Sequence, residues 1–284
     1  QIGRKGAGLC PVRGHSNVQG DRTMGIWEKM PKSFHDSLDS HFNFKSPRKH
    51  GYDVVDTIHA MEDGKIRFFM ALGGNFLSAS PDTERTSKAI ENCSMTVQIS
   101  TKLNRSHCIV GQKALILPCL VRSEEDLQDN DEQMISTENS MGVVQGSTGI
   151  FKPISDYIKS EIEILCQISM KLFPERRDTF LGFFKNYDLI RDMIEKVIPG
   201  FESYNSKVQT PGGFSLPNGP KERKFETESG KAIFTSNEIL YNKYDDDILI
   251  LQTLRSHDQF NTTVYGLEDR YRGIHNDRDI IMMN

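Results

Sequence analysis

Cysteine is scarce in this sequence, and what there is lies scattered. Its five cysteines (Cys10, Cys93, Cys108, Cys119 and Cys166) stand far apart, and no C-x-x-C pair occurs. That spacing argues against a disulfide framework or a zinc site and suits a reducing, cytoplasmic setting. No apolar run approaches the ~20 residues that a bilayer-crossing helix needs. Basic charge is not in excess: 35 Lys and Arg face 39 Asp and Glu, a formal charge of −4. A nucleic-acid module would normally carry a basic face, and none is evident. The Walker phosphate loop, H-E-x-x-H, G-x-S-x-G and G-x-G-x-x-G are all missing. The histidines show no metal-ligand spacing, and no nucleophile–base pair stands out. The lone tryptophan, Trp27, reads as packing. The sequons at Asn92, Asn104 and Asn261 read as chance.

What is present is ordinary for a globular chain. The 284 residues are 37% hydrophobic and 26% charged, enough for one large or two medium domains. Residues 1–50 read as loop. "YDVVDTIHAME" (52–62) has helical spacing through Ile58 and Met61. "KIRFFMAL" (65–72) is a continuous apolar run, the mark of a buried parallel strand. A glycine turn follows, then a helix with Ser80 as N-cap and Pro81 in its first position. "SMTVQIS" (94–100) and "KALILPCL" (113–120) read as further strands. The pattern is a βαβ unit in a mostly parallel sheet, an α/β fold.

Beyond the sheet, "SEEDLQDNDEQ" (123–133) reads as an acidic surface loop. "QMISTEN" and "GVVQG" read as short strands, and residues 155–198 as helical with one apolar face. "QTPGGFSLPNGP" (209–220) packs three prolines and three glycines into its length, the composition of a domain boundary. The expected domains are therefore 1–220, α/β, and 221–284, β-rich, with "GKAIFTSN", "DILILQTL" and "RDIIMMN" as strands. The chain opens on Gln1 and its last strand stops mid-element, so a piece of a longer protein is expected.

Four polar loops are richer than packing needs. The first is "RGHSNVQGDRTMGI" (13–26), a mixture that suits neither helix nor strand. The second is "LGGNFLSASPD" (72–82). A buried parallel strand delivers its carboxyl end there, where open α/β sheets bind ligands. Gly73 and Gly74 permit close backbone approach, and Asn75 offers both a donor and an acceptor. A tight turn needing glycine for geometry alone would look the same. The third, "STKLNRSHC" (100–108), should emerge at the same edge, with Lys102 and Arg105 as cations for a phosphate. The fourth, "RSHDQFNTTVYGLEDRYRG" (255–273), carries Arg255, suited to bidentate phosphate contact, and Asn261 and Thr262, suited to a base or sugar.

These four motifs, in this order, resemble the formate-dehydrogenase-like molybdopterin oxidoreductases of the DMSO reductase superfamily, in particular a bacterial branch linked to acid resistance. The resemblance implies a cofactor, Mo-bis(molybdopterin guanine dinucleotide), in which two dinucleotides hold the metal. It implies that residues 1–220 are the later part of the catalytic α/β region and 221–284 the first strands of a truncated double-psi β-barrel. Asn17 and Gln19 would lie against the cofactor near the metal. Gly73, Gly74, Asn75, Ser100, Lys102 and Arg105 would receive one guanosine diphosphate arm. Arg255, His257, Gln259, Asn261 and Thr262 would hold the other. No catalytic residue and no metal ligand is expected within the chain. A 4Fe–4S cluster needs four cysteine thiolates, and the family's would precede Gln1, as would the metal-proximal region. The chain alone is then expected to be inactive, and residues 221–284 its least ordered part. The implied reaction is two-electron redox of a small-molecule substrate, with an unspecified electron partner and no nucleic acid or membrane. Nothing in these residues selects formate, or molybdenum over tungsten. The rival reading is a non-catalytic module that binds the pterin dinucleotide or docks on a partner.

Overall fold

The computed structural model describes residues 4–7, 17–239, 244–245, 247–255, 257, 268–277 and 280–283. The chain divides into two compact units, Pro11–Pro217 and Asn218–Asn284 with Gln1–Cys10. The sequence-based division falls three residues later.

The larger unit begins with helices α1 (Asn17–Thr23), α2 (Lys32–Phe42) and α3 (Val54–Glu62). A three-stranded sheet follows, built of β1 (Phe68–Leu72), β2 (Met95–Ser100) and β3 (Ala114–Pro118), with α4 (Phe76–Ala79) and α5 (Thr83–Glu91) between β1 and β2. The order is β1-β2-β3 and both pairings are parallel. The central strand β2 has its four middle residues buried, as a parallel sheet covered on both faces requires.

Side chains alternate across the sheet. Phe69 packs with Ile58, Met61, Leu77, Ala89 and Ile90, the inward faces of α3, α4 and α5. Val97 and Ile99 point the other way, onto Ile164 of α6 (Glu161–Leu172). Met61 and Leu77 are fully buried, and each such burial contributes roughly 1.5–3 kcal/mol. Phe68, Met70 and Leu72, on the α6 side of edge strand β1, stay exposed. The helices start on side-chain caps: Asp53 accepts from Asp56 N–H, Asp82 from Arg85 N–H, and Ser160 from Glu163 N–H. Such caps contribute ~1 kcal/mol each.

The rest of the unit is built on a second sheet. A two-residue hairpin, β4 (Leu127–Gln128) with β5 (Asp131–Glu132), leads to the antiparallel pair β6 (Ile135–Glu138) and β7 (Val143–Ser147). Helices α7 (Arg177–Lys185), α8 (Asp188–Val197) and α9 (Tyr204–Lys207) follow α6, and β8 (Phe214–Ser215) adds to β7. Val144, Phe201, Tyr204 and Val208 form the buried centre. Phe201 and Tyr204 stack with ring centroids 4.8 Å apart, and Phe214 meets both edge-on.

The structure departs from the sequence-based expectation in several places. Residues 1–50 are not all loop, since α1 and α2 lie there. The helix after β1 does not start at Ser80. Ser80 ends α4, and α5 starts from Asp82, whose left-handed backbone (φ 54°) puts its carboxylate on the next turn. The acidic loop 123–133 contains β4 and β5. The helical span 155–198 begins only at Glu161 and is interrupted at Asn186 and at Phe173–Pro174, the latter because proline lacks the N–H that a helix interior needs.

In the smaller unit, "GKAIFTSN" and "DILILQTL" form no strands among the described residues, nor do residues 280–283 of "RDIIMMN". Phe234, Leu249 and Leu251 are exposed there. A strand needs a ladder partner, and none of the described residues pairs with these runs. Among the described residues, this unit has a short helical turn at Pro220–Glu222 and a bridge between Asp269 and Ile274.

Candidate functional site

Two of the four polar loops meet. Because β1 and β2 are parallel, both carboxyl ends reach the same edge of the sheet. Gly73 N–H donates to Ile99 O at 2.7 Å, carrying the ladder one residue past β1. Gly73 and Gly74 then turn with φ of +67° and +70°. A Cβ at either would meet nothing within 4 Å. The backbone conformation alone therefore demands glycine, and the space over the turn is open. The N–H groups of Gly74 and Asn75 have no acceptor among the described residues.

A hydrogen-bond network locks the two loops together. Asn104 Nδ2 donates to Gly74 O at 2.8 Å. Ser106 Oγ donates to Asn75 Oδ1 at 2.6 Å and accepts from Leu77 N–H at 3.0 Å. Gln98, on β2, donates to Ser106 O at 2.9 Å. Asn104 Oδ1 accepts from Ser106 N–H at 2.9 Å, and His107 Nδ1 accepts from Asn104 N–H at 3.0 Å. His107 Nδ1 also lies 3.2 Å from both Asn104 O and Asn104 Oδ1, and its Nε2 is buried without a partner among the described residues. Ser106 and His107 are buried, so the inner part of the network is shielded from water, while the Asn104–Gly74 bond at its rim is exposed.

On top of this frame stand two cations. Lys102 and Arg105 are exposed, and neither side chain is paired among the described residues. Ser100 Oγ donates to Lys102 O at 2.9 Å, which shapes the loop. Asn75 is less available than expected. Its Oδ1 is used twice, by Ser106 Oγ and by Ser78 N–H as the cap of α4, leaving only Nδ2 to donate. A small cleft of about 10 Å³ beneath the turn is lined by Phe69, Gly74, Phe76 and Gln98, room for about one water.

The first loop lies elsewhere in the unit. Asn17 opens α1, and Gln19 sits within it, its carbonyl accepting from Thr23 Oγ1 at 3.1 Å. This helix packs against β6 of the second sheet. A helix in so polar a stretch shows tertiary packing overriding propensity.

The fourth loop belongs to the smaller unit. Asp269, 2% exposed, is its centre. It accepts from His257 N–H at 3.1 Å and from Arg272 Nη1 at 2.7 Å, and His257 Nδ1 lies 3.1 Å from its other oxygen. Burial works against ionisation of Asp269. The hydrogen bonds from His257 and Arg272 together outweigh it and hold the carboxyl down at about 2. Arg272 Nη1 also donates to Arg255 O at 3.1 Å. Arg255 and His257 are thus drawn together, with the Arg255 side chain exposed and His257 stacked at 4.7 Å on Tyr271. Gln259, Asn261 and Thr262 lie outside the described residues.

Sequence reasoning passed over the residues that build these frames: Gln98, Asn104, Ser106 and His107 in one, Asp269 and Arg272 in the other. For the first there was a signal, since N-x-x-H at 104–107 can close a reciprocal cap, and it does. Burial pushes the Cys119 and Cys166 thiols up to about 11, which keeps them protonated at neutral pH.

No family model matches the chain. Over its whole length it is 52% identical to an uncharacterized oxidoreductase of Mycobacterium tuberculosis and to one of Mycobacterium bovis. It is 41% identical, again over its whole length, to protein YdeP of Escherichia coli. The chain spans 37% of the mycobacterial proteins and 38% of YdeP.

Proposed function

We propose that the chain is a cofactor-holding part of a molybdenum oxidoreductase of the formate-dehydrogenase-like kind. In this reading the edge formed by residues 73–75 and 100–105 receives a guanosine diphosphate arm of the molybdopterin dinucleotide. The observation that carries the reading is the pair of cations, Lys102 and Arg105, without side-chain partners among the described residues, over an open glycine turn with two N–H groups that meet no acceptor among them. A pyrophosphate needs charge-assisted hydrogen bonds and close backbone approach, and the edge offers both. Relatives named as oxidoreductases support the class of reaction.

The bound group would supply two-electron redox at its metal. The chain's own residues bind and orient it. Lys102 and Arg105 would neutralise the diphosphate, Gly74 and Asn75 would donate from the backbone, and Asn75 Nδ2 would be left to donate to the nucleotide. The network of Asn104 and Ser106 holds the glycine turn against the second loop before the ligand arrives, so the backbone donors need little ordering. Arg255 and His257, held by Asp269 and Arg272, would serve the second arm, with Gln259, Asn261 and Thr262. Asn17 and Gln19 would lie nearer the metal end. Double-psi barrel topology for residues 221–284, the substrate and the electron partner belong to the same proposal for the longer protein.

Calorimetric titration of the 284-residue chain with guanosine diphosphate tests the reading. Saturable binding is expected, weakened at least ~10-fold in Lys102→Ala/Arg105→Ala, since a hydrogen bond to a charged group contributes ~1.5–3 kcal/mol. Both side chains are exposed, so the variant should keep its fold. Equal affinity in the two proteins, or no binding, would remove the edge from the account.

A further inference from the structure

The apolar run 65–72 suits a strand covered on both faces, yet β1 is covered on only one. Phe69 packs under α3, α4 and α5. On the other face Phe68, Met70 and Leu72 are 54, 40 and 50% exposed. The register aligns Met70 with Val97 and Leu115, and Leu72 with Ile99 and Leu117. Val97 and Ile99 are buried against Ile164 of α6, and Leu117 packs with them. The cover that α6 gives this face therefore stops at the central strand. An exposed apolar row of this kind marks a contact surface.

The backbone edge of β1 is open as well. Its ladder to β2 runs through alternate residues: Met95 N–H donates to Arg67 O at 3.1 Å, and Gly73 N–H to Ile99 O at 2.7 Å. In a parallel ladder the intervening residues direct N–H and C=O the other way. Phe68, Met70 and Leu72 thus present both groups to the outer edge, where no strand among the described residues pairs. Edge strands are usually blunted by a proline, a charge or a bulge. Phe68–Leu72 reads FFMAL and its register is unbroken, so it has none of these.

A second copy fits this surface poorly. Joined about a two-fold axis, it would set β1 antiparallel to itself, and a strand alone would leave the apolar row uncovered. A parallel strand with a helix behind it covers both the edge and the row. Sequence to supply it exists, since the chain matches well under half of each relative's length.

We propose that β1 is an interior strand of the longer protein. A segment from outside these 284 residues adds a parallel strand along Phe68–Leu72 and lays the apolar stripe of a helix over Phe68, Met70 and Leu72. The proposal does not depend on the cofactor reading.

The test is residue-resolved amide hydrogen exchange in the 284-residue chain and in the full-length protein. In the chain alone Phe69 and Ala71 are expected to exchange slowly, and Phe68, Met70 and Leu72 fast. In the full-length protein those three should slow by at least ~10-fold, as paired amides do. Fast exchange of the three in the full-length protein would overturn the proposal. So would protection there that disappears on dilution, the sign of a second copy. Met70→Lys tests the helix. It should lower the urea midpoint of the full-length protein and leave that of the chain alone nearly unmoved; equal shifts, or no shift in the full-length protein, would contradict a covering helix.

Discussion

Asn104 is the residue on which the candidate edge turns. Both ends of its amide are used, Oδ1 on its own helical turn and Nδ2 on the carbonyl of Gly74 thirty residues away. Asn104→Asp keeps the local acceptor and removes only the long-range donor. It is expected to cost about 1 kcal/mol of stability and to weaken guanosine diphosphate binding, because the glycine turn loses its tie to the second loop. Chemical denaturation and the nucleotide titration check this; unchanged affinity would detach Asn104 from the site. Part of the edge was legible at this scale. A glycine pair after an apolar run, and Lys102 and Arg105 after another, can be read from order alone. That the side-chain oxygen of Asn75 is already taken could not be, since its partner Ser106 comes from a different loop.

At the scale of elements, the three parallel strands were legible because continuous apolar runs have few other uses. The two early helices were not. The first, α1, has a polar sequence and is held by contact with β6. The second, α2, has no side-chain cap at Pro31 and no buried residue, although Phe34, Leu38 and Phe42 recur at helical spacing. The junction of α6, α8 and the β4–β5 hairpin is set by a buried polar contact invisible in any one segment. Tyr187, 1% exposed, donates to Asp126 Oδ2 at 2.5 Å and meets Ser160 Oγ at 2.7 Å. Burial first, then the bond to Asp126, pushes its phenol far above the usual range, so it acts as a donor at any physiological pH. Tyr187→Phe strands these partners and is expected to cost ~1–3 kcal/mol. A urea midpoint that does not move would mean the hydroxyl is dispensable.

At the scale of the whole chain, each unit carries one loop frame of similar design: a buried hydrogen-bonding side chain, Ser106 or Asp269, anchors a loop that carries exposed cationic residues. Exposed cations held by buried anchors suit a highly charged ligand better than a reaction at a side chain. No helix among the described residues is long and apolar enough to cross a membrane. The strands expected in residues 221–284 were not found where apolar runs suggested them, because a run can name a strand but not its partner.

The central claim is that residues 73–75 and 100–106 form one anion-binding edge. The most direct measurement is an amide NMR titration of the chain with guanosine diphosphate at low salt. The account predicts that the signals of Gly73, Gly74, Asn75 and residues 100–106 move together along one binding curve. It also predicts that raising the ionic strength weakens the binding, since exposed charges are screened. Shifts confined to other parts of the larger unit, or movement of one loop without the other, would contradict it.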